Sequence, residues 1–364
     1  MTDMIHSSDR LIPLTYAESR ARFLGAAGAV ESHPLDLLGP DGGELAIDVA
    51  LVGEPGASTV AVIGSGTHGV EGPAGSMLQT DLLERLADGR AALPSGLRLV
   101  LIHAINPWGF AWLRRQNESN VDLNRNWVDF AAAIEPNEAY AEVHGLLCPA
   151  DSEVPDGDTF VASLSTLSAT KGLPWVREAV SSGQYSHADG LYYGGARHEA
   201  STRIVEKILQ THVAGASEAL TLDLHTGHGK WGTYTVLSRA LLGSDADRWV
   251  RSTFGDAAVE TTVANPDATL AAKNGQLLLG IVAELGIPRV HSVTFELGTR
   301  SETRMIVAEH LEHWVHMHGD RDHPDHAAIV WDHRCCSIPD DREWERSALD
   351  HGRTVLDQAL TALV

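Results

Sequence analysis

Two histidines and two glutamates, residue types that bind metal ions and transfer protons, follow short apolar runs of the chain. His68 and Glu71 come just after one such run, His225 closes another, and Glu296 follows a third. If these runs are buried parallel strands, their carboxyl ends meet at one edge of a sheet, where open α/β proteins bind ligands. The four side chains are therefore expected to converge.

Two imidazoles and a carboxylate are the ligand set of a catalytic zinc site, which keeps one further position open to water. The spacing His-x-x-Glu lets one tight turn present His68 and Glu71 to the same ion, and His225 completes the set from a neighbouring strand. Zinc lowers the pKa of a water that it binds toward ~7 and polarises a carbonyl group. The sequence thus predicts one zinc ion per chain.

The chemistry of such a site needs a carboxylate that does not bind the metal. Glu296 is placed to take a proton from water and to pass it to the leaving group. The oxygen of the tetrahedral intermediate carries negative charge and needs a positive neighbour, for which Arg114 and Arg115 are both candidates.

Three residues between 122 and 125 fit supporting roles. Asn124 and Arg125 offer a fork of N–H groups that can hold a substrate carboxylate at two points. Asp122 is close in sequence to that fork and can accept the second ring N–H of His68, which fixes the tautomer of the imidazole. The predicted partner is a small molecule or peptide that carries a carboxylate.

The elements that must position these residues alternate between strand-like and helix-like periodicity. The pattern predicts strands at 45–52, 59–63, 97–105, 219–224 and 290–295. It predicts helices at 73–89, 136–147, 199–213, 303–318 and 340–363. The order strand, helix, strand over residues 59–105 is that of a parallel crossover unit. We expect an α/β fold with a mixed, largely parallel twisted sheet flanked by helices.

The domain organisation follows from the same reading. We expect one hydrolase domain over residues 1–364, because neither repeats nor a long disordered linker are visible. The Gly- and Ser-rich stretch 151–198 is predicted to be a loop-rich insertion, which could cover the substrate.

The composition restricts the function classes. The chain has 364 residues and a formal net charge of −22, from 27 basic and 49 acidic residues, which disfavours nucleic acid and anionic membranes as partners. No apolar run reaches the ~18 residues of a membrane span, and the first ten residues lack the apolar core of a signal peptide. We expect a cytoplasmic protein. A homo-oligomer is compatible with this expectation.

Residues 64–69 read GSGTHG, which matches the dinucleotide-binding pattern G-x-G-x-x-G. That fingerprint needs a helix that begins at the glycines, so that its N–H groups meet the pyrophosphate. Here Glu71 would place a negative charge at the phosphate, and Pro73 delays the helix. A nucleotide-dependent oxidoreductase is therefore a distant alternative. A non-catalytic zinc-binding protein is another, although it would have no use for Glu296.

Segments that contain these residues resemble the zinc carboxypeptidase superfamily. They are THGVEG (67–72), INPWGFAWLRRQNESNVDLNRNW (105–127), LDLHTG (222–227) and FELGT (295–299). The wording GTHG and DLHT is similar to the aspartoacylase and succinylglutamate desuccinylase branch, which removes acyl groups from amino acids. Residues 181–195 and 337–352 resemble a subgroup known only as a domain of unknown function, so the resemblance covers nearly the whole chain.

The resemblance implies the same roles residue by residue. His68, Glu71 and His225 would be the zinc ligands, and Glu296 would be the general base and acid. Asp122 would support His68, and Asn124 and Arg125 would bind the substrate carboxylate; Arg115 is preferred over Arg114 as the arginine near the oxyanion. The implied activity is that of a carboxypeptidase or of a deacylase of N-acyl amino acids.

The superfamily also carries a mobile tyrosine, for which this chain has no clear counterpart. Tyr234 is the only tyrosine between His225 and Glu296, and it lies soon after the first of them. Tyr185, Tyr192 and Tyr193 are further candidates from the insertion. The side-chain preference, the native metal and the oligomeric state are not readable from the sequence.

Overall fold

The structure, a computed structural model, describes residues 10–151, 153–263, 265, 268, 270 and 273–363. These residues form one sheet of eight strands in the order β1-β2-β4-β3-β5-β8-β6-β7. The strands are β1 (Val30–Leu38), β2 (Glu44–Gly53), β3 (Thr59–Ser65), β4 (Leu97–His103), β5 (Glu218–Thr226), β6 (Tyr234–Leu241), β7 (Val259–Val263) and β8 (Arg289–Leu297).

The sheet is mixed and mostly parallel, which confirms the expected fold class. The central strands β4, β3, β5 and β8 pair in parallel, and β6 pairs in parallel with β7. The pairs β1–β2, β2–β4 and β6–β8 are antiparallel. The strands β3, β4 and β5 are buried along almost their whole length, as is typical of central parallel strands with helices on both faces.

Helices cover both faces of the sheet. They are α1 (Tyr16–Ala27), α2 (Gly72–Ala87), α3 (Pro107–Ala111), α4 (Glu138–Leu147), α5 (Gly157–Lys171), α6 (Leu173–Ser181), α7 (Ala200–His212), α8 (Asp245–Phe254), α9 (Leu277–Glu284), α10 (Glu302–His318), α11 (Pro324–Ser337) and α12 (Arg342–Thr361). No helix in the described part of the chain is long and apolar enough to cross a bilayer.

The core has two main layers, one on each face of the sheet. In β4, Leu99 and Leu101 pack with α1, α2 and α12, whereas Val100 and Ile102 pack with α7 and α9. Successive side chains of a strand point to opposite faces, so one strand contributes to both layers. Burial on both faces fixes the register of the central strands, and the residues at their carboxyl ends are therefore held rigidly.

The stretch 151–198 differs from the loop-rich segment that the sequence predicted, because it contains the two helices α5 and α6. Its Ser- and Thr-rich composition hid them, since these residues usually favour caps and turns. In α5 the hydroxyl groups of Ser163, Ser165 and Thr166 donate to the carbonyl oxygens four residues earlier. The apolar residues Phe160 and Val176 pack both helices into a small separate core with α4.

Candidate metal centre

The turn after β3 presents His68 and Glu71 because glycines allow an unusually close packing of two loops. Gly66 has a φ of +68°, which favours glycine, and a Cβ atom on Gly69 would lie 2.1 Å from the backbone of Gly109. Two backbone N–H groups of the turn also bond to carbonyl oxygens of residues 114 and 115. The helix α2 begins only at Gly72, so the glycine motif does not form the helix start that a pyrophosphate would need.

The three predicted ligands converge in one buried cluster. The Nδ1 atom of His68 lies 2.9 Å from Oε1 of Glu71, and Nδ1 of His225 lies 2.9 Å from the other oxygen of that carboxylate. The two Nδ1 atoms are 3.1 Å apart. If each residue offers one ligand atom, a ring nitrogen or a carboxylate oxygen, the three atoms lie within 4.8 Å of one another.

The outer nitrogen of each imidazole lies against a second carboxylate. Nε2 of His68 is 3.2 Å from Oδ1 of Asp122, and Nε2 of His225 is 2.9 Å from Oδ2 of Asp223. Such carboxylates retain the ring proton on the outer nitrogen and leave the inner lone pair free for a metal ion. Burial acts to raise the pKa of Glu71, but the neighbouring His68 and His225 outweigh burial and hold this pKa well below its usual range.

These contacts test whether the residues fit a metal ion. With both outer nitrogens beside carboxylates, the two Nδ1 lone pairs and the ionised Glu71 point at the same small volume. Three electron donors without a proton between them repel one another, and a cation at the centre removes that repulsion. The nitrogen and oxygen donors suit zinc and other divalent transition metals. The cluster therefore fits the expected ion.

Asp223 was not given a role by the sequence, although its position carried a signal. It precedes His225 by two residues in β5, and residues i and i+2 of a strand point to the same face. Its other oxygen accepts a hydrogen bond of 2.8 Å from the hydroxyl group of Thr67, which lies beside His68 in the turn. The carboxylate is thus fixed between the two segments that supply the ligands.

We expect the substitution Asp223→Asn to weaken metal affinity by about 10- to 100-fold, because the neutral amide lacks the negative charge that favours the proton on the outer nitrogen of His225. Competition with a chromophoric chelator measures this affinity. Asp48→Asn is a matched control, since Asp48 is equally buried in a strand and pairs with Arg20 outside the cluster. Equal metal affinity in the wild type and Asp223→Asn would contradict the assigned contact.

Glu296 lies next to His225 because β5 and β8 pair in parallel with these two residues in register. Glu296 as a residue is 9% exposed, and its carboxylate accepts a hydrogen bond of 3.4 Å from the backbone N–H of His228. Burial raises the pKa of Glu296 although His225 opposes the shift. A carboxylate with a raised pKa is a better proton acceptor, so the position and basicity suit a general base.

The two candidate arginines have different surroundings. Arg114 is fully buried away from the cluster, where it donates to Glu312, and it does not line the cavity. Arg115 lines the cavity; its Nε donates to Asp122 at 3.1 Å, and one of its terminal nitrogens lies 3.6 Å from Glu71. Of the two, only Arg115 is near the proposed ligands.

The predicted carboxylate fork lies behind the cavity wall. Arg125 is fully buried, and its guanidinium donates to the backbone oxygens of Asn124 and Ser181 at 2.8 and 2.7 Å. The side chain of Asn124 accepts a hydrogen bond of 3.2 Å from the backbone N–H of Leu277. Neither residue is among those that line the cavity, and their role in binding a substrate carboxylate remains a prediction.

A cavity of about 500 Å³ opens onto the cluster. It is lined by His68, Glu71, Arg115, Tyr192, His228, Lys273, Glu296 and Glu309, and by apolar residues of α5, α6 and α10. Of the candidate tyrosines, Tyr192 lines this cavity, and its hydroxyl group donates to Glu309 at 2.5 Å. Tyr185 instead donates to the backbone oxygen of Arg125.

A second group of possible ligands is less suited to a metal ion. His144, His187 and Asp189 also lie within 4.8 Å of one another. The two imidazole rings are stacked, however, with centroids 4.1 Å apart and planes inclined by 26°. Ring nitrogens bind metals through lone pairs in the ring plane, and those of stacked rings run side by side instead of converging. The first cluster is the better metal centre.

The fold is similar to those of proteins of known structure, metallocarboxypeptidases among them. The chain superposes on the crystal structure of thrombin-activatable fibrinolysis inhibitor with a TM-score of 0.50 and 11% identity, over 96% of this chain and 72% of the other. A metallocarboxypeptidase from Pseudomonas aeruginosa matches with a TM-score of 0.46 and 13% identity, over 95% and 69%. Succinylglutamate desuccinylase from Chromobacterium violaceum matches with a TM-score of 0.39 and 17% identity, over 88% and 74%.

The sequence itself identifies the family within this fold. A family model described as "Protein of unknown function (DUF2817)" matches residues 13–351, so the chain belongs to that family. This agrees with the subgroup that the sequence resembles. No curated protein matches the chain in sequence. The activity must therefore be inferred from the site.

Proposed function

We propose that the protein is a zinc-dependent hydrolase that cleaves an amide or peptide bond next to a free carboxylate. One observation carries this proposal: His68, Glu71 and His225 form a buried cluster that fits a metal ion, and His68, Glu71 and Glu296 line one cavity. A buried ligand cluster open to a cavity, with an additional basic carboxylate beside it, is the arrangement of a catalytic site and not of a structural one.

When bound, a divalent ion supplies an acidic water and polarises the carbonyl group of the substrate. Glu296 takes the proton that the attacking water loses and delivers it to the nitrogen of the leaving group, which would otherwise depart as an unstable anion. Arg115 provides positive charge close to the oxygen that becomes negative in the tetrahedral intermediate. Its contact with Asp122 holds the guanidinium in place.

Asp122 and Asp223 position the ligands. Each lies against the outer nitrogen of one imidazole, so both rings are kept in the orientation that directs Nδ1 inward. Asp122 also contacts Arg115, so one carboxylate links a proposed ligand to the proposed oxyanion residue. Burial acts to raise the pKa of Asp122, but the surrounding cations, mainly Arg115, outweigh burial and hold this pKa well below its usual range.

The carboxypeptidase and deacylase activities use the same bond-cleaving machinery and differ in the substrate group that fills the cavity. We propose the carboxypeptidase first and keep the deacylase of N-acyl amino acids as the second candidate, because the wording of GTHG and DLHT is similar to the deacylase branch. We also propose that the substrate carries a carboxylate and that the protein is cytoplasmic.

Hydrolysis of a panel of peptides with a free C-terminus and of N-acyl amino acids tests the proposal. We expect the metal-loaded protein to hydrolyse members of one set, and we expect a chelator to abolish the reaction and added zinc to restore it. The set that reacts distinguishes the two candidates. Turnover that persists after complete removal of metal would contradict the proposed function.

A further inference from the structure

Three basic side chains, apart from histidines, line the cavity among the described residues: Arg115, Arg177 and Lys273. Two of them are already paired. Arg115 lies 3.1 Å from Asp122 and 3.5 Å from Glu309, and its guanidinium lies over the ring of Tyr192. A substrate anion would have to compete with these partners.

Arg177 is paired as well. Its terminal nitrogen lies 2.9 Å from the carboxylate of Glu302, which also lines the cavity. Both side chains of this pair are partly exposed, so the pair belongs to the more open part of the cavity. Arg125, the predicted carboxylate ligand, donates to two backbone oxygens behind the wall. None of these arginines presents a free cation to the cavity.

Lys273 differs from all of them. It comes from the segment between β7 and α9, lines the same cavity as Glu296, and has no hydrogen bond or ion pair with any residue that the structure describes. Burial and the neighbouring charges of Arg125 and Arg115 lower the pKa of Lys273 to about 8, against the opposing effect of Glu296 and Asp122. The ammonium group is therefore still mostly charged at pH 7.

An ammonium group in a cavity loses part of its hydration and gains stability from a partner of opposite charge. We propose that Lys273 is the residue that binds the carboxylate of the substrate, in the role that the sequence assigned to Arg125. The inference rests on the proposed function for the nature of the reaction, but binding of a carboxylate at Lys273 does not require turnover.

Another wall of the cavity indicates what the carboxylate is attached to. Leu164 of α5, Val176 and Val180 of α6, and Ile306 of α10 present aliphatic side chains to the cavity. Apolar surface favours an apolar ligand group, because contact between the two removes both surfaces from water. A carboxylate joined to an apolar group is therefore the suitable probe, and 3-phenylpropanoate is a simple example.

Calorimetric titration of the metal-loaded protein with 3-phenylpropanoate and with its uncharged amide tests the proposal. We expect the wild type to bind the carboxylate at least about tenfold more tightly than the amide, since a hydrogen bond between two charged groups is stronger than one to a neutral amide. Lys273→Met should remove this preference, and Lys273→Arg should retain it. Lys207→Met, which changes an exposed lysine of α7, should behave as the wild type.

Two results would overturn the proposal. One is a wild type that binds the amide as well as the carboxylate, and the other is Lys273→Met that keeps the preference, because then the metal ion or an arginine holds the anion. If Lys273→Met does not fold, the same titrations of the wild type and of Lys273→Arg over a series of pH values test the proposal instead. The preference of the wild type should fall as the pH rises through about 8, whereas Lys273→Arg should keep it at pH 9.

The outcome is separable from that of the proposed function. A protein that binds the carboxylate through Lys273 but hydrolyses no member of the panel would support the binding site and count against the hydrolase. If instead the wild type hydrolyses the panel and Lys273→Met binds 3-phenylpropanoate as tightly as the wild type does, the hydrolase is supported and the binding site at Lys273 is not.

Discussion

Replacing Glu296 with glutamine is expected to lower kcat by about 10²- to 10⁴-fold, the contribution typical of general acid–base catalysis. The glutamine side chain has nearly the same size and keeps an oxygen that can accept the backbone N–H of His228, but it cannot take a proton from water. The proposed metal ligands are unchanged, so the variant should bind the same amount of metal. Steady-state kinetics and elemental analysis of one preparation measure both quantities.

Glu345→Gln is the matched control for this variant. Glu345 is also buried and its pKa is also raised by burial, but it accepts the backbone N–H of Leu11 far from the cavity. It should leave kcat within a factor of a few of the wild type. Activity of Glu296→Gln close to that of the control would show that another group accepts the proton.

Replacing His225 with alanine is expected to remove tight metal binding and, with it, hydrolysis. The substitution leaves two of three ligands, and it also removes the ring that separates Asp223 from Glu71. The melting temperature gives a readout that does not depend on activity. A metal at 100 times its Kd stabilises the wild type by about 2.7 kcal/mol, and the variant should show little of this shift.

His318→Ala is the control for metal binding, because His318 is exposed at the end of α10. Its melting temperature should rise with added metal as much as that of the wild type. If His225→Ala shows the same rise, the ion binds elsewhere, and the cluster in the turn after β3 is not the metal centre.

The sequence predicted the parts of the site that depend on strand ends. Buried strands have a simple signature of short apolar runs, and their carboxyl ends meet at one edge of a parallel sheet. His68, Glu71, His225 and Glu296 were expected to converge on this basis. In the structure His68, Glu71 and Glu296 line one cavity, and His225 contacts Glu71. The pairing register then adds what the sequence lacks, since it sets His225 beside Glu296.

Other features depend on contacts that a local pattern does not contain. Arg114 and Arg115 are adjacent in an irregular segment, and only the packing of Arg114 against Glu312 of α10 decides which one is directed away from the cavity. Lys273 lies in a segment without regular periodicity, and nothing in the sequence relates it to Glu296. The burial of Arg125 depends on the carbonyl oxygen of Ser181 at the end of α6, a helix that its composition concealed.

The most direct test of the account is the metal content of the wild-type protein after reconstitution with zinc and removal of unbound ions. Elemental analysis should find one equivalent per chain, and this equivalent should be lost in His225→Ala and kept in Glu296→Gln. A wild type that retains no divalent metal under these conditions, or that retains the same amount without His225, would contradict the central claim that His68, Glu71 and His225 form a catalytic metal centre.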